Sequence, residues 1–132
     1  MISTASIYLD TSLDGNRLSF TIMDKSGTKR IEASANDNFT ANFKVTKEGS
    51  SYHNSLNYGI TVDTLKYEEN SSLRVNIPKS VIDTLVSIGE GIYYSSKEDK
   101  YYPKSVPVKF ILNCDTESEG QFNIIIPRVY LV

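Results

Sequence analysis

Strict alternation of apolar and polar residues over 38–46 constrains the fold more than any other feature of this chain. In "NFTANFKVT", polar residues separate Phe39, Ala41, Phe43 and Val45. This two-residue period belongs to a strand with one buried face, whereas an amphipathic helix repeats every 3.6 residues. Shorter runs with the same period lie near residues 5–9, 17–22, 56–62, 73–77, 106–112 and 122–126. We therefore predict an all-β, mainly antiparallel fold.

Two turn signals follow the first strand patterns. "SLDGN" separates the first two patterns, and its Asp14-Gly15 pair predicts a hairpin between them, with the glycine supplying a positive φ. "DKSGT" at 24–28 predicts a second turn, which leads to a short strand at Ile31 and Ala33.

One stretch changes period, and it predicts the only helix. The apolar residues of "KSVIDTLVSIG" recur at helical spacing, and they are Val81, Ile82, Leu85 and Ile88. Ser80 and Asp83 resemble a capping box, and Gly89 stands where the residue after a helix is expected. Together the patterns predict a β-sandwich of about eight to nine short strands with one short helix near 80–88.

Length and charge limit the class of protein. At 132 residues the chain is sized for one domain, residues 1–132. Its net charge of −2 gives no strong field of either sign, so we expect neither nucleic acid nor an anionic membrane as a partner. The opening "MISTASIYLD" lacks a basic segment followed by an apolar run, and no apolar stretch approaches the ~18 residues of a membrane span. We expect no signal peptide.

Few residues suggest chemistry. The single cysteine, Cys114, excludes an internal disulfide and a multi-cysteine metal site, and we expect it to be buried or half-buried. The single histidine, His53, lies beside a predicted turn, where a solvated loop position is the default. The motifs of the common hydrolases and nucleotide-binding proteins are missing. We predict no catalytic residues, no cofactor and no metal, although an enzyme with paired carboxylates would leave no motif.

Two acidic segments resemble half of a calcium loop. "DTSLDG" at 10–15 and "DTESEG" at 115–120 place acidic or hydroxyl side chains at positions 1, 3 and 5, with glycine at position 6. The bidentate glutamate required at position 12 is replaced by Thr21 in the first and Ile126 in the second. Turn chemistry is the better interpretation of both.

Two pairs of tyrosines are the main candidates for a binding surface. In "GIYYSSKEDKYYPKS", a hairpin whose loop is "KEDK" pairs Ser96 with Tyr101. This register places Tyr94 and Tyr101 on one face and Tyr93 and Tyr102 on the other, so the four rings form no single platform. One pair fills the core, and the other is exposed to a sugar, a peptide or another subunit.

The C-terminal "RVYLV" supplies three further candidate binding residues, Val129, Tyr130 and Leu131. This segment is too apolar to remain free in solvent. It either pairs as a last strand or docks on a neighbouring molecule by strand addition.

Three segments resemble a known family in pattern: "IYLDTSLDGNRLSFTIMDKSGT", "LRVNIPKSVIDTLVSIGEGIYY" and "VPVKFIL". They are similar to the N-terminal β-sandwich modules of tailed-phage baseplate upper proteins and related virion fibre or adaptor proteins. In those modules a strand ends at a Leu-Pro or Ile-Pro step, a short helix closes on glycine, and a hairpin precedes a final strand. Here Ile77-Pro78, Gly89 and the strand from Val106 occupy those places. The loop "ASANDN" and the C-terminal "QFNIIIPRVYLV" depart from that pattern.

The resemblance implies a virion structural protein, a baseplate, fibre-attachment or decoration component assembled in the host cytoplasm. Such a protein acts through protein–protein surfaces, and its partners are itself, as a trimer or hexamer, and other virion proteins. The alternatives are a carbohydrate-binding module that uses exposed tyrosines, a small inhibitor of a host protein and an enzyme with a carboxylate site.

Overall fold

The computed structural model describes residues 2–32, 34–46, 61–63, 73–89, 93–97, 99–102 and 104–132, with the backbone alone at 61–63, 89, 93–95, 100–102 and 104. These residues form an all-β, mainly antiparallel fold with one short helix, as predicted. The strands are β1 Ser6–Leu9, β2 Gly15–Phe20, β3 Asn38–Val45, β4 Thr61–Asp63, β5 Leu73–Pro78, β6 Tyr93–Ser95, β7 Lys100–Tyr102, β8 Lys104–Val106, β9 Val108–Thr116, β10 Gly120–Ile126 and β11 Arg128–Leu131. The helix is α1, Lys79–Gly89.

The strands form three sheets of three strands and one two-stranded ladder, β6–β7. The first sheet has the order β10–β9–β3, the second β1–β11–β8 and the third β2–β5–β4. Burial alternates without a fault along β3 and β9, so each buries one face of the first sheet. This confirms the strand predicted at 38–46.

A long hairpin joins the first two sheets, because β8–β9 runs antiparallel to β10–β11. Both sides of this hairpin are interrupted by proline, at Pro107 and at Pro127. Ile126 pairs with Phe110, and Val129 pairs with Val106. Between these two pairs the β8–β9 side of the hairpin contains one residue more than the β10–β11 side. Such an extra residue is a bulge, which re-aims a strand and disrupts the ladder locally. Proline lacks the N–H that a ladder needs, so the break falls at these positions.

Two expectations about the N-terminal half are wrong. β1 and β2 form no hairpin with each other, because β1 pairs in parallel with β11 while β2 pairs with β5. The segment between them carries the chain from the second sheet to the third. Gly15 has no positive φ; a Cβ there would instead lie 3.2 Å from the Ile77 carbonyl oxygen. The glycine therefore allows a close approach of the two strands that a side chain would crowd.

The turn predicted at 24–28 is confirmed. The amide of Gly27, which has a φ of 72°, donates to the Asp24 carbonyl oxygen at 2.9 Å. Of the strand expected at Ile31 and Ala33, the described residues show the bridge Met23–Arg30 and a hydrogen bond from the Ile31 amide to the Ile22 carbonyl oxygen. Ala33, His53 and most of the strand predicted at 56–62 lie outside the described residues.

The helix covers the core with its predicted apolar side chains, since Val81, Ile82 and Leu85 are buried. It begins at Lys79, and the Ser80 carbonyl already accepts a hydrogen bond from Thr84 Oγ1. Ser80 therefore lies inside the helix, so the capping box predicted at Ser80 and Asp83 is wrong. Gly89 is the last residue of the helix, whereas it was expected to be the residue after the helix.

All three sheets contribute to one cluster of buried apolar residues. Phe110 of β9 lies at its centre and is fully buried. Its ring stacks on Phe20 of β2 with a centroid distance of 5.5 Å and meets the edge of Phe43 of β3 at 5.3 Å. The first and third sheets thus face each other across the core, in the layered arrangement of a sandwich. No helix in the described ranges is long and apolar enough to cross a membrane.

Candidate interaction surfaces

The tyrosine hairpin has a register that differs from the predicted one. Tyr94 pairs with Tyr101 and Tyr93 with Tyr102, two residues away from the predicted pairing of Ser96 with Tyr101. In the observed turn Asp99 takes a left-handed conformation, with a φ of 49°, that aspartate adopts more easily than most residues. A shift of two residues conserves the strand alternation, so Tyr94 and Tyr101, expected on one face without pairing directly, become direct partners. The four side chains lie outside the described part of the structure.

The C-terminal candidates fall on a central strand. β11 lies between β1 and β8, so both of its edges are already paired. Val129 and Leu131 are fully buried, and this leaves them no surface for a partner. Of the two alternatives for this segment, pairing as a last strand is therefore correct. Strand addition by the C-terminal segment is excluded because its backbone groups are already used.

Tyr130 occupies the opposite side of β11 and forms a feature that the sequence did not suggest. Its ring stacks on that of Tyr8 in β1, with a centroid distance of 5.2 Å and an interplanar angle of 19°. Tyr8 is 56% exposed although it lies between two buried residues, Ile7 and Leu9. The parallel pairing of β1 with β11 sets Tyr8 directly opposite Tyr130.

The same side of the second sheet carries Ser105, Arg128 and Val132. Ser105 and Arg128 are exposed, and Val132 is 39% exposed. Hydrogen bonds hold the end of the chain in place, because the Val132 amide donates to the Leu9 carbonyl oxygen and the Val132 carbonyl accepts from the Thr11 amide. We call this side, with Tyr8, Ser105, Arg128, Tyr130 and Val132, the tyrosine face.

The solvent side of the first sheet has a different chemistry. The register forms two rows across its three strands; the rows are Asn38–Asp115–Gln121 and Thr40–Asn113–Asn123. All six residues are exposed, and we call them the amide face. A concavity of about 570 Å³ lies over them, and it is also lined by Cys114 and Phe122.

Most of the amide face is not engaged within the protein. In the described ranges the side chains of Asn38, Thr40 and Gln121 form no hydrogen bond. Asn113 Nδ2 donates to Asn42 Oδ1 at 3.4 Å, a length at which the bond is weak. The donors and acceptors of Asn38, Thr40 and Gln121 are therefore available to water or to a ligand.

The open end of the amide face is stiffened by a neighbouring loop. The Asp37 carboxylate accepts from the Ser34 amide and from the Glu117 amide, each at 2.9 Å. The Ser34 hydroxyl donates to the Glu117 carboxylate, and the Ser118 hydroxyl donates to the Glu32 carbonyl oxygen. These bonds attach Glu32, Ser34 and Asp37 to the tip of the β9–β10 hairpin.

Both acidic segments function as turns. The Asp10 carboxylate accepts from the Ser12 hydroxyl at 2.6 Å and from the Ser12 amide at 2.9 Å, and these bonds lower the pKa of Asp10. At the other segment, Thr116 Oγ1 donates to the Gly120 carbonyl and accepts from the Glu119 amide. Gly120 has a φ of 73°, as a tight hairpin loop requires. Within the described residues no three His, Cys, Asp or Glu side chains are grouped to hold a metal ion.

Cys114 is buried, as predicted, and desolvation raises the pKa of its thiol to about 12. It therefore remains protonated near neutral pH and lacks the thiolate of a reactive cysteine.

Neither the protein-family models nor the curated proteins give a match to this chain.

Proposed function

We propose that this protein is a structural interaction protein of a phage particle, and that it assembles as a symmetric oligomer through its tyrosine face. The observation that carries the assembly is the exposed Tyr8–Tyr130 stack. Tyrosine is enriched in protein interfaces because one ring supplies a large apolar contact and a hydroxyl that forms hydrogen bonds.

The composition of the tyrosine face supports a protein partner. Arg128 and Ser105 flank the two rings, and arginine is enriched in interfaces while most other charged residues are depleted. The stack is also held in place before any partner arrives, because β1 and β11 pair along their whole length. A preorganised aromatic pair loses little conformational entropy on binding.

The phage assignment depends on the resemblance to virion modules, which covers Ile77-Pro78, the helix closing on Gly89 and the alternating pattern from Val106 to Leu112. A trimer or hexamer is the assembly that this resemblance implies. In a cyclic trimer or hexamer each contact joins two different patches of neighbouring subunits. The tyrosine face of one subunit would therefore contact a second surface of the next subunit.

The test is the mass in solution, measured by light scattering and by sedimentation. The expected result is three or six times the chain mass of 14.8 kDa, with Tyr8→Ala shifting the equilibrium towards the monomer. Met23→Ala is the matched control, because Met23 is also a large exposed apolar residue but lies off the tyrosine face. A monomer at all concentrations contradicts the assembly.

The virion part has a separate test in the order of the genes that flank the coding sequence. Structural genes of a phage head or tail on both sides are the expected finding, and metabolic genes on both sides contradict it.

The main alternative is a monomeric carbohydrate-binding module that uses the tyrosines of the β6–β7 hairpin. A glycan array with Tyr94→Ala and Tyr101→Ala distinguishes the two. Glycan binding by a monomer that is lost in those variants would replace the proposal.

A further inference from the structure

The amide face has an amino-acid content that strand formation alone does not favour. Asparagine and aspartate are depleted in strands, yet Asn38, Asn113, Asp115 and Asn123 stand in one sheet with Asn42 close by. β9, the central strand of that sheet, carries two of them. Departures from local preference are expected where a surface has a function.

We propose that the amide face is a binding site for a neutral saccharide. An amide group offers both an N–H donor and a carbonyl acceptor, and a sugar hydroxyl likewise donates and accepts. Thr40 adds a hydroxyl, and the Asp115 carboxylate adds acceptors only. The face therefore matches a ligand that presents several hydroxyl groups.

The spacing of the face fits such a ligand. Neighbouring strands lie about 4.8 Å apart, which is comparable with the width of a pyranose ring. One ring would thus reach polar groups from two strands of a row, and the second row would reach the next ring. The concavity of about 570 Å³ lies in the range of small-ligand sites.

Apolar residues adjoin the polar rows. The next row of the register is Asn42–Ile111–Ile125, and both isoleucines are half-buried. The C–H groups of a sugar ring can pack on such side chains while its hydroxyls bond to the amides.

The charged residues around the concavity favour a neutral ligand over an anionic one. Asp115 is the one charged residue that lines the concavity in the described structure, and the two lysines of this sheet side, Lys44 and Lys109, lie at the far end of the ladder. An acidic sugar or a nucleic acid would meet a carboxylate without a facing cation.

A protein partner is less suited to this face than to the tyrosine face. The centre of a protein interface is enriched in aromatic residues, methionine and arginine. Among the residues that line the concavity only Phe122 belongs to those classes. The inference uses a surface separate from the tyrosine face, so it stands or falls apart from the proposed oligomer.

The experiment titrates the full chain with neutral gluco-, galacto- and manno-oligosaccharides, followed by calorimetry and by NMR shifts. We expect at least one of them to bind, and we expect binding to weaken about tenfold in Gln121→Ala and in Asn113→Ala. Asn36→Ala is the control, because it removes an exposed amide from a loop outside the face. A uronic-acid oligosaccharide, the anionic comparison, is expected to bind more weakly.

Thermal unfolding of each variant shows whether it folds, and Thr40→Ala supplies a further change if one does not. Four results would overturn the site: no member of the panel binds; Asn36→Ala weakens binding as much as the face variants; Tyr8→Ala abolishes binding while the face variants retain it; or the face variants change the oligomer mass and leave sugar binding intact.

Discussion

The two halves of the long hairpin differ in what they offer to solvent. Beyond Pro107 and Pro127, towards the tip, the first sheet exposes the amide face. On the other side of the prolines, the second sheet exposes the stacked rings of Tyr8 and Tyr130. The bulge between them ends one ladder and begins the next, so each half acquires its own third strand. One pair of strands can therefore carry two surfaces of unlike chemistry.

Both halves depend on the same core, and this gives the largest expected effect. Phe110→Ala removes the ring that contacts Phe20 and Phe43, at a fully buried position. We expect a loss of about 3–5 kcal/mol in the free energy of unfolding, because the cavity adds to the lost transfer free energy. Urea denaturation measures it.

Phe122→Ala is the matched control, since Phe122 lies on the same hairpin but is only partly buried. Its expected loss is smaller. Equal losses in the two variants would contradict the central position of Phe110. Separate unfolding transitions for the two halves would show that the surfaces do not share one support.

The tip of the hairpin can be perturbed without touching the tyrosine face. Gly120→Ala places a side chain at a φ of 73°, and we expect a loss of about 1 kcal/mol in the free energy of unfolding. The Glu119 amide, which donates to Thr116 Oγ1, should exchange its hydrogen faster. Hydrogen exchange followed by NMR measures this locally.

Gly27→Ala is the control, because Gly27 has a φ of 72° and equally open surroundings in a different turn. A similar loss of stability with unchanged exchange at Glu119 is expected there. Faster exchange at Glu119 in both variants would mean that the effect is global.

The tyrosine stack is expected to contribute less to the free energy of unfolding than Phe110 does. In a double-mutant cycle with Tyr8→Ala and Tyr130→Ala, we expect a coupling energy of about 1 kcal/mol. The cycle is measured by urea denaturation at protein concentrations low enough that the wild type and all three variants are monomeric. A cycle that pairs Tyr8→Ala with Met23→Ala should give a coupling near zero, and equal values in the two cycles would count against the stack.

Local pattern predicted which residues are buried better than it predicted which strands meet. The alternation in Phe39, Phe43 and Val45 is written in consecutive residues, so the buried face of β3 could be read directly. The partner of β1 could not, because the residue opposite Tyr8 is Tyr130, at the other end of the chain. A two-residue period shows which face of a strand is buried, but it does not show which strand pairs with it. The pair Asp14-Gly15 indicated a hairpin for the same local reason, and tertiary pairing overrode it.

The amide face was missed because its members are far apart in the sequence. Asn38, Asp115 and Gln121 form one row only after three strands are aligned. The sequence pattern assigned Asp115 to an acidic turn and gave no role to Asn38 or Gln121. The available signal was the number of asparagines in segments that otherwise predict strands, a combination that strand propensity disfavours.

The smallest expected effect is a dependence of stability on pH, and it arises in only one of the two halves. The hydroxyl and the amide of Ser12 donate to the Asp10 carboxylate at the end of β1, and they hold the pKa of Asp10 below its ordinary value of 3.8. A carboxyl whose pKa is lowered by folding stabilises the native state above the ordinary pKa, and this contribution is lost as pH falls through the lowered value.

The stability difference between the wild type and Asp10→Asn should therefore be constant from about pH 7 to about pH 5 and shrink below pH 3.8. Urea denaturation over that range measures it, and Ser12→Ala should reduce the pH dependence because the strongest donor is removed. Asp10 lies on the half that carries the tyrosine face, so sugar binding at the amide face should be the same in Asp10→Asn as in the wild type at each pH; weaker binding in Asp10→Asn would show that the two halves are coupled after all.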